Sequence, residues 1–358
     1  MAVDKEGYLV TPPSRTSAWI TTCAILGLGM ALAGCAPSVR EQPEPEALVW
    51  PEPPAEPRLA FLMTFSGPDD FGIKKGFLEQ MGEFFTGKRW QHLVRPMAIA
   101  VTPAGVVYVA DPGVSGVHRF DKQNETYQFI QRENGQELPS PVALAAGPAG
   151  EVYVTDSRLS ALFVIKPEAT EAIQVPLQGL LAQPTGVALD PVLGNFYIVD
   201  TGSHEVKVFA RDGTLLSKFG QRGSGPGEFN YPTMIWRNQQ GEYIVSDSMN
   251  FRIQIFAASG QFLREFGNIG DSTGSHSQPK GVATDQYGHI YVVDTLFHAI
   301  QIFDPLGTFL LNVGRQGQEW GEFFMPTGIF IGERDTIYVA DEYNHRIQVF
   351  RYIGPPPP

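Results

Sequence analysis

Six aspartates, Asp111, Asp156, Asp200, Asp247, Asp294 and Asp341, recur along the chain at near-constant spacing. Four residues after three of them stand His204, His298 and His345. Carboxylates and imidazoles repeated in register are the residue types of calcium and zinc sites. Their setting points elsewhere. Each aspartate ends a β-branched or aromatic run, such as Val107-Tyr108-Val109-Ala110 or Ile337-Tyr338-Val339-Ala340, where the chain must turn. Asp side chains cap such turns by accepting nearby backbone N–H groups. Asp247 with Arg252, and Asp341 with Arg346, are also spaced to pair across the turn. The three histidines fall on loops of separate repeats, one or two strand spacings of about 4.7 Å out from any common axis, so they are not expected to converge on a metal. His92, His118, His276 and His289 show no ligand spacing. The loop Gly223-Ser224-Gly225-Pro226-Gly227 lacks the Lys-Ser/Thr and the strand–loop–helix setting of a phosphate cradle. No Ser-His-Asp or paired-carboxylate arrangement can be argued from spacing.

The elements that carry these residues are repeats. A proline opening a short apolar strand recurs at Pro96, Pro141, Pro184, Pro232, Pro279 and Pro326, in steps of 45, 43, 48, 47 and 47 residues. The aspartate follows fifteen residues later, sixteen in the third copy. Nine residues beyond it an apolar residue closes a third strand: Phe120, Ile165, Phe209, Phe256, Phe303 or Phe350. Alternation such as Ile253-Gln254-Ile255-Phe256 is strand periodicity. Turn residues such as Asp212-Gly213 and Ser259-Gly260 lead into a fourth strand. Four short antiparallel strands per repeat is the size of a propeller blade, and six copies predict an all-β, six-bladed β-propeller. The sixth copy runs out before its fourth strand. Phe61-Leu62-Met63-Thr64-Phe65, with Gly67 after it, shares the spelling of Phe262-Leu263-x-x-Phe266-Gly267. Residues 59–65 are therefore expected to supply that strand and close the ring.

Asp341-Glu342-Tyr343-Asn344-His345-Arg346-Ile347-Gln348-Val349-Phe350 resembles the core of the NHL repeat. Asp247-Ser248-Met249-Asn250-Phe251-Arg252-Ile253-Gln254-Ile255-Phe256 is close to it, and Gly227-Glu228-Phe229 and Gly321-Glu322-Phe323 resemble the family's link between blades. The first two copies depart: Ser115-Gly116 and Ser160-Ala161 stand where His-Arg would be. The resemblance is to NHL-repeat six-bladed β-propeller lipoproteins of bacterial envelopes. Related peptide-amidating lyases carry zinc-binding histidines just after the opening proline. Here those positions are Met97, Val142, Thr185, Thr233, Lys280 and Thr327. Lactonase-like propellers need a Glu/Asn/Asp set round an axial calcium, which these apolar first strands do not show.

The flanks read as an address. Residues 18–34 are one uncharged apolar run ending in small residues, preceded by Lys5 and Arg15. Leu32-Ala33-Gly34-Cys35 resembles a lipobox, which implies a signal peptide over 1–34 and lipid on Cys35. Several acyl chains on one residue give stable anchoring. Ala36, in place of aspartate, points to the outer membrane. Residues 35–57 are rich in Pro and Glu and are expected to form an extended tether rising about 3.1 Å per residue. The propeller then spans 58–353, and a Pro tail spans 354–358. Within the propeller, 68–95 breaks the repeat: Ile73, Phe77, Leu78, Met81, Phe84 and Phe85 lie at helical intervals. This insertion reads as a helical lid on the face that carries the proline and histidine loops.

Net charge of −12 argues against nucleic acid, including RNA, as partner. Two cysteines exclude a disulfide scaffold. The expected function is a non-catalytic binding or scaffolding module for an envelope protein, peptide or glycan, with no metal and no cofactor beyond the lipid on Cys35. The expected surface is the proline/histidine-loop face: Arg95, Met97, Thr185, Tyr231, Thr233, Lys280 and Thr327 at the channel mouth, with His204, His298 and His345 farther out. The alternative is a metal-dependent lyase or lactonase-like enzyme with a divergent site.

Overall fold

The computed structural model describes residues 48–73 and 91–355. The chain divides at Glu46/Ala47, and everything described lies in the second unit. The apolar run, Cys35 and most of the helical pattern in the insertion fall outside the described residues.

The repeat builds six four-stranded antiparallel blades. Blade 4 shows the plan: Pro232–Arg237, Tyr243–Asp247, Arg252–Phe256 and Phe262–Phe266 pair in chain order from the axis outwards. The second strands of blades 1 to 5 are near-continuous apolar runs buried at every position, so both faces of a sheet are apolar there. Six clusters of buried apolar side chains fill six seams between neighbouring blades. Phe65, Val109, Phe120 and Ile347 share one of them, the seam between the last blade and the first.

That seam exists because the ring closes as expected. Leu59–Phe65 pairs antiparallel with Arg346–Tyr352, from Leu59 opposite Tyr352 to Phe65 opposite Ile347. The start of the domain is thus the outer strand of its last sheet. Close approach of backbones at the axis explains the Pro-Thr-Gly spelling in this blade: a Cβ on Gly328 would sit 2.2 Å from the Met97 carbonyl oxygen.

Three features differ from expectation. The Pro/Glu-rich segment does not run free to residue 57. Val49–Trp50 pairs with Ala60 and Leu59 as a fifth strand of blade 6, and the Trp50 ring packs edge-on against Phe350 at 5.6 Å. A partly buried indole and two ladder residues hold what composition alone reads as a tether, and they cover an open sheet edge. In the insertion, the described ends 68–73 and 91–95 form turns and irregular chain rather than helix. Phe71, Ile73 and Leu93 are buried there against Phe65 and Phe120, so Ile73 serves the closing seam and not a helix face. Finally, the outer strands of blades 1 and 2 pair in parallel, Glu171 opposite Gln131 and Ala172 opposite Arg132, joining the two blades into one eight-stranded sheet.

Phe65 is 1% exposed and Leu62, on the same strand, is 42% exposed. Phe65→Ala is expected to lower the unfolding free energy by about 3–5 kcal/mol. Leu62→Ala should stay within about 0.5 kcal/mol of wild type in the same denaturant titration.

Candidate functional site

The six aspartates are clasps. All are fully buried. Each accepts backbone N–H groups from the segment just before its own blade's opening proline. Asp111 takes Val94 and Arg95 at 2.6 and 2.9 Å, and Asp156 takes Ser140 at 2.9 Å. Asp200 takes Ala182 and Gln183, Asp247 takes Asn230, Asp294 takes Ser277 and Gln278, and Asp341 takes Phe324. The expected pairs form as well: Arg252 Nε–Asp247 at 2.9 Å and Arg346 Nε–Asp341 at 2.8 Å. Burial pushes the Asp200 carboxyl up, but hydrogen bonds from Lys207, Ser203, Ala182 and Gln183 outweigh it and leave it below the usual carboxylate range. Asp111 and Asp294 are lowered in the same way: burial opposes, and His118 or His276 with backbone amides prevails. Among the described residues no three His, Cys, Asp or Glu side chains gather to hold a metal ion.

The glycine-rich loop has its own partner. Arg252 donates to the carbonyls of Ser224, Gly225 and Glu228 at 2.8–2.9 Å. The loop therefore presents carbonyl oxygens to a guanidinium, the opposite of a phosphate cradle. Arg346 does the same to Gln318, Glu319 and Glu322 in the next such loop.

The histidines are clips between blades. The position four after the aspartate is left-handed in all six copies: Ser115, Ser160, His204, Phe251, His298 and His345 have φ between +52° and +58°. Tyr231 N–H donates to His204 Nδ1 at 3.1 Å, and Met325 N–H donates to His298 Nδ1 at 3.0 Å. His345 Nδ1 meets the Val94 carbonyl. Each bond reaches the loop that opens the next blade, so the three rings lie at separate seams. Tyr231 is exposed and packs edge-on over His204 at 4.6 Å.

The residues after the prolines sit at the start of the six innermost strands, and the three threonines among them are engaged. Thr185 Oγ1 lies 2.6 Å from Thr201 Oγ1, which donates to the Pro232 carbonyl. Thr233 meets Ser248 at 2.7 Å, and Ser248 donates to the Pro279 carbonyl. Thr295 reaches the Pro326 carbonyl, and Thr327 reaches those of Pro96 and Met97. This hydroxyl relay stitches blade to blade.

Two substitutions interrupt it. Glu342 stands where Thr201, Ser248 and Thr295 stand in their blades, and it is buried. Arg95, from the entry to blade 1, donates to it through Nε at 3.0 Å and Nη2 at 2.5 Å. Lys280 replaces the ring threonine in blade 5 and has no carboxylate within 4 Å among the described residues. Burial pushes its amine down, with Glu342 pulling it up and Arg95 pushing it down. Lys280, Arg95 and Glu342 thus share one mouth of the channel. Val142 and Met97 complete the ring as apolar members.

Behind this mouth the axial cavity, of about 180 Å³, is walled by apolar first-strand residues including Leu144, Val187, Met234, Val282 and Ile329. Its far end carries Arg237, the last residue of its strand and not one of the site residues expected from the sequence.

The fold and this axial architecture define a six-bladed β-propeller. A family model described as "6-bladed beta-propeller" matches residues 189–268 and 277–352. Among solved structures, a protein of unknown function from Bacteroides thetaiotaomicron superposes with TM-score 0.58 at 16% identity, over 82% of this chain and 75% of that one. An auxiliary nutrient binding protein from the same organism gives 0.57 at 14% identity, over 73% and 69%. Virginiamycin B lyase from Staphylococcus aureus gives 0.53 at 16% identity, over 73% and 96%. At these identities the likeness is one of fold. No curated protein sequence matches the chain.

Asp247→Ala removes the acceptor of Arg252 Nε and of the Asn230 N–H and is expected to cost about 1–3 kcal/mol in unfolding free energy. Calcium should leave the melting temperature of wild type unchanged, which separates a clasp from a metal ligand. His298 generates a second expectation. It accepts a backbone N–H at Nδ1, and burial pushes its pKa down. The unfolded chain therefore takes up this proton first, near its ordinary value of about 6.5. The contribution of His298 is complete above that pH and is lost as pH falls through it towards the folded value. The drop in unfolding free energy from about pH 7.5 to about 5.5 should be smaller in His298→Asn than in wild type.

Proposed function

We propose that this propeller is a non-catalytic binding module of the bacterial envelope, engaging a protein, peptide or glycan through its proline/histidine-loop face. The observation that carries the reading is where the chemistry-bearing side chains are committed. The aspartates, the seam histidines and the ring threonines hold blades together. Lys280, beside the Arg95–Glu342 pair, is the charged group of that mouth without an ion-pair partner among the described residues. Two cations against one carboxylate suit an anionic group on the partner. Met97 and the exposed ring of Tyr231 supply apolar contact nearby. The fold alone fixes no chemistry. Lipid on Cys35 ties the module to a membrane, the outer one on the evidence of Ala36.

The test uses the full chain in cells. After cross-linking and purification from membranes, Lys280→Glu should reduce recovery of the proteins or glycans captured by wild type at least tenfold, the size of one lost charged contact of about 1.4 kcal/mol. Undiminished capture contradicts the reading. Cys35→Ser should move the chain to the soluble fraction and remove the acyl mass.

A further inference from the structure

The innermost strands end at six equivalent positions, each paired opposite the fourth residue before the blade's aspartate: Val101, Ala146, Leu189, Arg237, Thr284 and Ile331. Arg237 is the charged member. Its strand starts at the proline face, so Arg237 lies at the opposite face. It lines the axial cavity and also a wider one, of about 500 Å³, formed by the hairpins that join first and second strands. The two cavities adjoin at Ala146, Leu189, Arg237 and Phe330.

Arg237 is half-buried, and its Nε is fully buried without a hydrogen-bond partner among the described residues. No carboxylate lies within 4 Å of it there. The nearby acids are engaged elsewhere. Asp285 accepts from the His289 ring and the Tyr291 hydroxyl, and Asp335 accepts from the backbone and side chain of Gln286. Glu333 is an exposed rim residue of the wider cavity. The buried Nε–H without an acceptor is costly, and the half-exposed guanidinium that carries it has no carboxylate partner among the described residues, which leaves it free to take an anion. Above it stands an apolar tube whose floor is the edge-to-face pair Trp236–Phe330, the indole held by Thr284 at 3.0 Å.

We propose that the end of the channel opposite the proline loops binds a small organic carboxylate, its carboxylate forked on Arg237 and its apolar body in the channel. The guanidinium fork matches a carboxylate bidentately. A dry cavity of roughly 150 Å³ accepts benzene, so the channel admits a body of about six carbons. Polar bodies are disfavoured by the Leu144, Val187, Ile235 and Ile329 walls.

The experiment is calorimetric titration of the full chain with sodium hexanoate and, separately, with hexanamide. Hexanoate is expected to bind, and hexanamide at least tenfold more weakly. Arg237→Gln is expected to weaken hexanoate at least tenfold with its melting temperature kept, and Lys280→Gln to change it less than twofold. Arg237→Lys, which keeps the charge but not the fork, should weaken it at least threefold and guards against misfolding of the glutamine variant. The proposal is overturned if hexanoate does not bind, if hexanamide or the Arg237 variants fall short of these losses, or if Lys280→Gln carries the loss instead. Because Lys280 lies at the other mouth, either result leaves the face proposed for partner binding to be judged by its own test.

Discussion

A blade is a sheet with two apolar faces, and neither can be buried until the sheet has a neighbour on each side. An open arc of blades would leave two faces in water. The pairing of Leu59–Phe65 with Arg346–Tyr352 removes that problem, because it completes the last sheet and sets it against the first. Everything else in the structure depends on this closure. The seam it makes receives Phe65, Phe71 and Ile73 from the start of the domain and Val109, Phe120 and Ile347 from its two ends. Val49–Trp50 then covers the completed edge.

Closure places strict demands on polar side chains at the axis and seams. Where blades meet, backbone groups need partners, and the repeat supplies them: a buried aspartate within every blade, and from blades 2 to 6 a hydroxyl or imidazole reaching the next. This explains why residues of catalytic type recur at the same place in each repeat. Both binding sites proposed above lie where a copy departs from the rule. Lys280 and Arg237 are two such departures, one at each end of an apolar channel. Glu342 is a third, and Arg95 balances it.

Much of this was legible in the sequence. Residues 59–65 spell a fourth strand in the wrong place, which marks them as the closing strand, and the aspartates end their strands where the chain turns, which marks them as turn caps. The histidines were read as outlying members of a binding face. What the sequence could not show was that the left-handed backbone four residues after each aspartate aims the side chain at a neighbouring blade. Nor could it show that the hydroxyls of Thr185 and Thr233 meet Thr201 and Ser248 of their own blades, which in turn reach the next blade's proline carbonyl. Trp50 is hidden because a two-residue strand has no periodicity, and the parallel pairing of Glu171 with Gln131 because it spans only two residue pairs between different repeats. Arg237 was missed although a signal existed: aligning the sixth residue from each proline sets one arginine against apolar residues and a threonine.

Native-state hydrogen exchange on the closing strand tests the central claim most directly. If closure holds the ring, the paired amides of residues 59–65 exchange only through global unfolding, with the same free energy as the second strands of the inner blades, despite lying at the domain's edge. Exchange of those amides by local fraying, while the six blades stay protected, would contradict the account.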